Sequence, residues 1–267
     1  MREIGEKELK EIQLEILEFV DDFCKRHHIK YFLTGGTLIG AVRHKGYIPW
    51  DDDIDLCMLR EDYDRFLQLF IDENDKTFKV YSYSIIKKCP FPFAKVANNK
   101  TILRENILTP YEIGVNIDIF PLDTIPVEKR SQRILYKKFD LYFGMLQLKE
   151  LLWSNKRKIS KNLIVLISRF LLKVVPHSYI LKKICENAII YKNIESPLCG
   201  DLVWGYGIRE ITKKENFIKS IEWEFEGRKY PIPIGYDSYL RGVYGDYMKL
   251  PPEDKRISHH EFEAYWK

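Results

Sequence analysis

Residues 33–59 read LTGGTLIGAVRHKGYIPWDDDIDLCML, and this stretch decides how the chain is read. Just before it, Ile29, Tyr31, Phe32 and Leu33 are β-formers that run into Gly35-Gly36, the pattern of a strand entering a tight loop. TLIGAVRHKG suits a short helix with Thr37 as N-cap and Gly46 as its close. Asp51, Asp52, Asp53 and Asp55 then crowd together. The alternation Asp53-Ile54-Asp55-Leu56 is that of a strand, with Asp53 and Asp55 on one face. Carboxylates this close repel and need a counter-charge to stay ionised. Mg²⁺ is the natural one, because it takes oxygen ligands and shares them with substrate phosphates. Glycine lets backbone N–H groups approach an anion, so Gly35, Gly36 and Thr37 complete a phosphate site opposite the metal. A solvated acidic loop is the plainer alternative, but the run is embedded among Ile48, Pro49, Trp50 and Leu56. An EF-hand loop is excluded: its sixth position must be glycine, and counting from Asp51 it is Leu56.

Working outward, Leu9, Ile12, Ile16, Phe19 and Phe23 predict an amphipathic helix over about residues 6–27. REDYDRFLQLFID (60–72) reads as a helix with Tyr63, Phe66, Leu67 and Phe70 on one face. TFKVYSYSII, FPFAKVA, KTILRE and VNIDIFPLD, between 77 and 123, read as strands, and Asp118 alternates with Ile117 and Ile119 in the last. EWEFEGRKYPIP suits a hairpin turning near Glu226-Gly227. YDSYLRGVYGDYMKL suits a helix ending before Pro251.

Composition narrows the class. Hydrophobic residues are 45% and charged residues 31%, which is ordinary for a globular chain. A net charge of +4 argues against a dedicated nucleic-acid binder. Cys24, Cys57, Cys89, Cys185 and Cys199 form no CxxC pair, so neither zinc nor a disulfide framework is expected. The charged N-terminal stretch has no signal-peptide core and no apolar run reaches membrane-span length, so a cytoplasmic protein is expected.

With these residues on the page, LTGGTLIGAVRHKGYIPWDDDIDLCMLREDYDRF resembles the signature of the LicD family, which shares its core with the fukutin group. VNIDIFPLD and YLRGVYGDYMKLPPEDKR resemble two later family blocks. The resemblance implies an α+β chain with a nucleotidyltransferase-fold core: a small mixed sheet flanked by helices, here carrying a basic helical insertion. A GG loop precedes a D-h-D strand in that fold, and a third carboxylate lies on a neighbouring strand. Those positions are Gly35-Gly36, Asp53-Ile54-Asp55 and Asp118. The long gap between Gly36 and Asp53 is a feature of the LicD branch.

The implied activity is transfer of phosphocholine from CDP-choline to a glycan, a teichoic acid precursor or a lipopolysaccharide sugar. Asp53, Asp55 and Asp118 would be catalytic, and Asp51, Asp53, Asp55 and Asp118 would hold Mg²⁺ or Mn²⁺. Gly35, Gly36 and Thr37 would steady the phosphates, with Arg43, His44 and Lys45, and then Lys95 and Arg104, as further contacts. Aromatic faces hold quaternary ammonium groups, and Trp50, Tyr206, Tyr244 and Tyr247 are the candidates.

The middle of the chain differs. Residues 129–192 carry fifteen Lys or Arg against Asp140, Glu150 and Glu186. SNKRKISKNLIVLISRFLLKVV suits either a core helix pair or a helix on an anionic membrane. The expected division is a core over 1–125, a basic helical region over 126–199 and a mixed segment over 200–267 that completes the substrate site. Two rival readings remain at this stage. One is a same-fold transferase of phosphoethanolamine or a polyol or sugar phosphate. The other is a non-catalytic, membrane-associated binding protein. The acceptor is expected to be a glycan or lipid-linked glycan, and nucleic acid is not.

Overall fold

Apolar side chains at three- and four-residue spacing make the first helix. β1 (Arg2–Ile4) leads into α1 (Glu6–Arg26), whose Leu9, Ile12, Ile16, Val20 and Phe23 are buried. Each such side chain contributes about 1.5–3 kcal/mol when removed from water. Glu6 and Glu8 in the first turn and Lys25 and Arg26 in the last match the helix dipole. This is a computed structural model describing residues 1–73, 75–105, 111–151, 158–256 and 262–267.

The deciding stretch folds as β2 (Phe32–Leu33), α2 (Gly35–His44) and β3 (Asp55–Leu59), followed by α3 (Arg60–Glu73). Three details differ from the sequence reading. Thr34, not Thr37, is the N-cap position of α2. Lys45, not Gly46, closes it, in the left-handed region at φ 60°. Asp53 stands outside β3, which starts at Asp55. Thr37 is free of capping because its Oγ1 accepts the backbone N–H of Asp55 at 2.8 Å.

The remaining core strands are β4 (Phe78–Tyr81), β5 (Ala94–Asn98), β6 (Thr101–Glu105) and β7 (Asn116–Ile125). One sheet runs β2-β3-β7-β5-β4. Its β3–β7 pair is parallel, while β2–β3, β5–β7 and β4–β5 are antiparallel. α1 packs on β5 and β7, and α3 on β3 and β7. The expected mixed sheet flanked by helices is therefore present. Arg60, at the start of α3, grips the buried Asp123 of β7 through two bonds, of 2.7 and 2.8 Å.

Three helices follow: α4 (Lys129–Glu150), α5 (Ile159–Leu172) and α6 (His177–Ala188). α6 is a core helix through Ile180, Leu181 and Ile184. α5 is not: it buries Asn162 and Val165 and leaves Leu163, Ile164, Ile167, Phe170 and Leu171 exposed. A core helix pair therefore does not describe this segment. The chain then returns to the sheet through β8 (Leu198–Asp201), paired with the far half of β7, and β9 (Thr212–Lys213).

β10 (Ser220–Phe225) and β11 (Arg228–Pro233) form the expected hairpin, with Glu226 and Gly227 both at positive φ, as a two-residue turn requires. α7 (Tyr236–Tyr244) ends at Gly245, well before Pro251, because Gly245 at φ 71° breaks the helix. β12 (Phe262–Trp266) joins β1 and β6 in a second sheet.

Candidate active site

Neighbouring strands align the charged groups. Asp55 on β3 stands in register with Asp118 on β7, and Lys95 on β5 stands in register with the same Asp118. Three adjacent strands thus carry carboxylate, carboxylate and ammonium in one row. Lys95 Nζ donates to Asp118 Oδ1 at 2.6 Å and to Asn116 Oδ1 at 3.1 Å. Its side chain passes over the rings of Phe91 and Phe93.

Asp51, Asp52 and Asp53 lie in the segment that leads into β3, and one carboxylate oxygen from each falls within 4.8 Å of the other two. The Gln13 side chain pins this segment by donating to the Asp52 carbonyl at 2.8 Å. Burial, then the Asp53, Asp118 and Asp51 carboxylates, push Asp55 well above the usual carboxylate range, and Lys95 pulls it back. Clustered hard carboxylate oxygens are the donor set that a divalent cation takes.

The glycines explain how the cluster reaches the helix. Gly35 has φ +57°, a conformation that side chains resist, and a Cβ there would lie 2.8 Å from Asp55 Oδ2. A Cβ on Gly36 would lie 2.5 Å from Asp51 Oδ2. Both carboxylates therefore rest against the first turn of α2, where the helix dipole favours negative charge.

A cavity of about 1020 Å³ opens over this floor. Thr34, Tyr239 and Glu210 form a hydrogen-bonded wall, Thr34 Oγ1 to Tyr239 OH at 3.1 Å and Tyr239 OH to Glu210 Oε2 at 3.4 Å. Glu210 also accepts the N–H of Tyr206 at 3.1 Å. The Tyr206 and Tyr244 rings meet edge to face at 5.3 Å, and Trp204, whose ring packs edge-on against Phe93 and Phe143, also lines the cavity. Asp201, whose Oδ1 accepts the N–H groups of Val203 and Trp204, is pushed up to about 7 by burial and then by Glu210.

Gly35, Gly36, Asp51, Asp53, Asp55 and Asp118 all line this cavity, as do Lys95, Tyr206 and Tyr244. The other candidates lie elsewhere. Arg43 donates to the Tyr247 carbonyl at 2.6 Å and to His44 Nε2 at 2.9 Å, and Lys45 pairs with Glu224 of the hairpin at 3.3 Å. Arg43 thus reaches the turn after α7 and Lys45 the hairpin, while the His44 ring meets Trp50 edge to face at 6.5 Å. Arg104 covers the Tyr265 ring, Trp50 lies under Arg256, and Tyr247 donates to Asp237. The sequence reading assigned no role to Asp52, Glu210 or Tyr239. Only Lys95, at first a secondary candidate, carried a legible signal: a lone cation within the apolar strand FPFAKVA.

Comparison with known proteins finds relatives of this chain. The LicD/FKTN/FKRP nucleotidyltransferase domain matches residues 28–122, which hold the whole carboxylate row. The lipopolysaccharide cholinephosphotransferase LicD of Haemophilus influenzae is 33% identical over 271 residues, covering 99% of each chain. The human ribitol 5-phosphate transferase FKRP is 49% identical over 55 residues, 21% of this chain and 11% of its own. The carboxylate row, the glycine turn before it and the end-to-end match lead to one conclusion: this chain belongs to the LicD family of transferases.

Proposed function

We propose that this protein moves phosphocholine from CDP-choline to a hydroxyl of a cell-surface glycan and releases CMP. The supporting observation is a single cavity that joins a carboxylate floor, suited to a metal-bound diphosphate, to a wall of aromatic rings backed by Glu210. Aromatic faces with a nearby carboxylate suit a quaternary ammonium better than a polyol. The chain also matches a cholinephosphotransferase along its whole length.

Asp51, Asp53, Asp55 and Asp118, with Asp52 beside them, would hold Mg²⁺ or Mn²⁺. A divalent cation there supplies positive charge to the diphosphate and to the departing CMP oxygen. The first turn of α2, at Gly35-Gly36, steadies the phosphates. Lys95 turns from Asp118 toward the incoming phosphates. Asp118 then completes the carboxylate set or takes the proton of the attacking hydroxyl. That oxygen bonds to the phosphorus bearing choline as the bond to CMP breaks. The Tyr206 and Tyr244 rings face the trimethylammonium group. A nucleotide-activated donor suits a cytoplasmic reaction, on the inner face of the membrane if the acceptor is lipid-linked.

A second reading, transfer of another activated group, is favoured by the partial match to ribitol 5-phosphate transferases. Calorimetry with CDP-choline, CDP-ethanolamine and CDP-ribitol, each with and without Mg²⁺, separates the two. Metal-dependent binding that prefers CDP-choline is expected. Metal-dependent binding without that preference moves the assignment to the second reading, and no binding of any of the three refutes both.

A further inference from the structure

The α5 helix has its apolar side on the outside. Asn162 and Val165 face the protein, at 2% and 9% exposure, while Phe170 on the opposite side is 75% exposed. Ile159, Leu163, Ile164, Ile167 and Leu171 share that outer face. In an ordinary surface helix the apolar stripe faces the core. Here the arrangement is reversed, and a contiguous apolar patch of this kind marks an interaction surface.

Charge says which surface. Residues 151–185 contain eight Lys or Arg and no Asp or Glu. Lys158, Lys161 and Lys173 are exposed along α5. A second copy of the chain would set this basic face against its own twin across a two-fold axis, like charge on like. An anionic bilayer instead offers hydrocarbon to the apolar face and phosphate to the lysines. Among the described residues no single helix is long and apolar enough to cross a membrane, and α6 leaves α5 at 91°. The fourteen residues of α5 extend roughly 21 Å, short of the ~30 Å hydrocarbon core.

We propose that α5 lies in the headgroup layer of an anionic lipid bilayer and docks the protein there. The docking helix is tied to the cavity. Lys149 of α4 donates to the carbonyls of Leu172 and Val175 at 2.9 and 2.8 Å, and Glu150 meets His177 at 3.0 Å. Glu150 and His177 both line the cavity, so its far end lies at the junction of α4, α5 and α6. The inference is independent of which group the enzyme transfers.

The test is co-sedimentation of the purified full-length protein with vesicles. Phosphatidylcholine vesicles containing phosphatidylglycerol are compared with phosphatidylcholine alone, at low and high salt. The protein is expected to sediment with the anionic vesicles and to release with salt. Ile164→Glu/Ile167→Glu/Phe170→Glu is expected to lower the partition coefficient by about tenfold or more, at an unchanged melting temperature. Lys158→Gln/Lys161→Gln/Lys173→Gln leaves the apolar face intact and is expected to abolish the preference for anionic vesicles. Failure of the wild type to bind, or binding by both variants that matches the wild type, overturns the proposal. So does a concentration-dependent dimer in sedimentation velocity that the glutamates dissolve without any vesicle binding.

Discussion

Lys95 Nζ lies 2.6 Å from Asp118 Oδ1, across the antiparallel pairing of β5 and β7, with Asp55 on the far side of Asp118. This row sets the lysine against the carboxylate that stands in register with Asp55. Lys95→Met is expected to weaken donor binding and to slow CMP release by about 10²-fold, with Lys95→Arg recovering part of it. Steady-state assays of CMP release decide this. Wild-type kinetics in the methionine variant would sink the phosphate-contact role.

Asp51 and Asp53 lie outside any strand and share one cluster. Asp53→Ala is expected to remove the Mg²⁺ dependence of donor binding along with most turnover. A chelator should have the same effect on the wild type, reversed by Mg²⁺ or Mn²⁺. Calorimetry with and without metal checks it, and an Asp53→Ala protein releasing CMP at the wild-type rate would count against the metal assignment.

Gly35→Ala meets two obstacles, a left-handed backbone at φ +57° and the Asp55 carboxylate 2.8 Å from the added carbon. The strain costs about 1–2 kcal/mol, or roughly 2–6 °C in melting temperature for a chain of this size. The larger expected effect is on kcat/KM, about tenfold or more, because Asp55 must shift. Unaltered kinetics with a lowered melting temperature would reduce Gly35 to a structural role.

Asp201 gives the stability curve a definite sign. The folded chain holds its proton up to a pH of about 7, whereas the ordinary value is 3.8. Between those values the folded state binds more protons than the unfolded one, so this group's contribution falls as pH rises and levels off above 7. Asp201→Asn keeps an acceptor for the Val203 and Trp204 N–H groups and removes the charge. It is expected to raise stability at pH 8 by on the order of a few kcal/mol and little at pH 4. Melting curves from pH 4 to 8 test this, and parallel curves for both proteins would contradict it.

Arg60 and Asp123 form a doubly bonded, buried pair. Arg60→Ala is expected to cost about 3–5 kcal/mol, since it leaves the Asp123 carboxylate without its partner in the core. Arg60→Lys should recover little, because an ammonium cannot reproduce the two parallel bonds. Urea unfolding of the three proteins measures the difference, and a loss under about 1 kcal/mol would mean that water reaches Asp123.

Much of the fold and part of the site are legible in local pattern. The buried stripe of α1 and the Glu226-Gly227 turn follow from short-range spacing. Side chains within a turn or a strand share a face by covalent geometry alone. Arg43, His44 and Lys45 mark the limit of that reasoning. They stand between the glycines and the aspartates in sequence, yet Arg43 donates to His44 and to the Tyr247 carbonyl, and Lys45 pairs with Glu224 of the hairpin.

By itself the sequence determined the acidic cluster, the glycine turn, most of the helices and strands, and the family to which they point. Only tertiary structure set Lys95 against Asp118, closed the cavity with Glu210 and Tyr239, and turned the apolar face of α5 to the outside. The reason is physical. Spacing along the chain dictates which side chains share a face, whereas the partner that covers a face, or leaves it bare, is chosen by strands and helices far away in sequence.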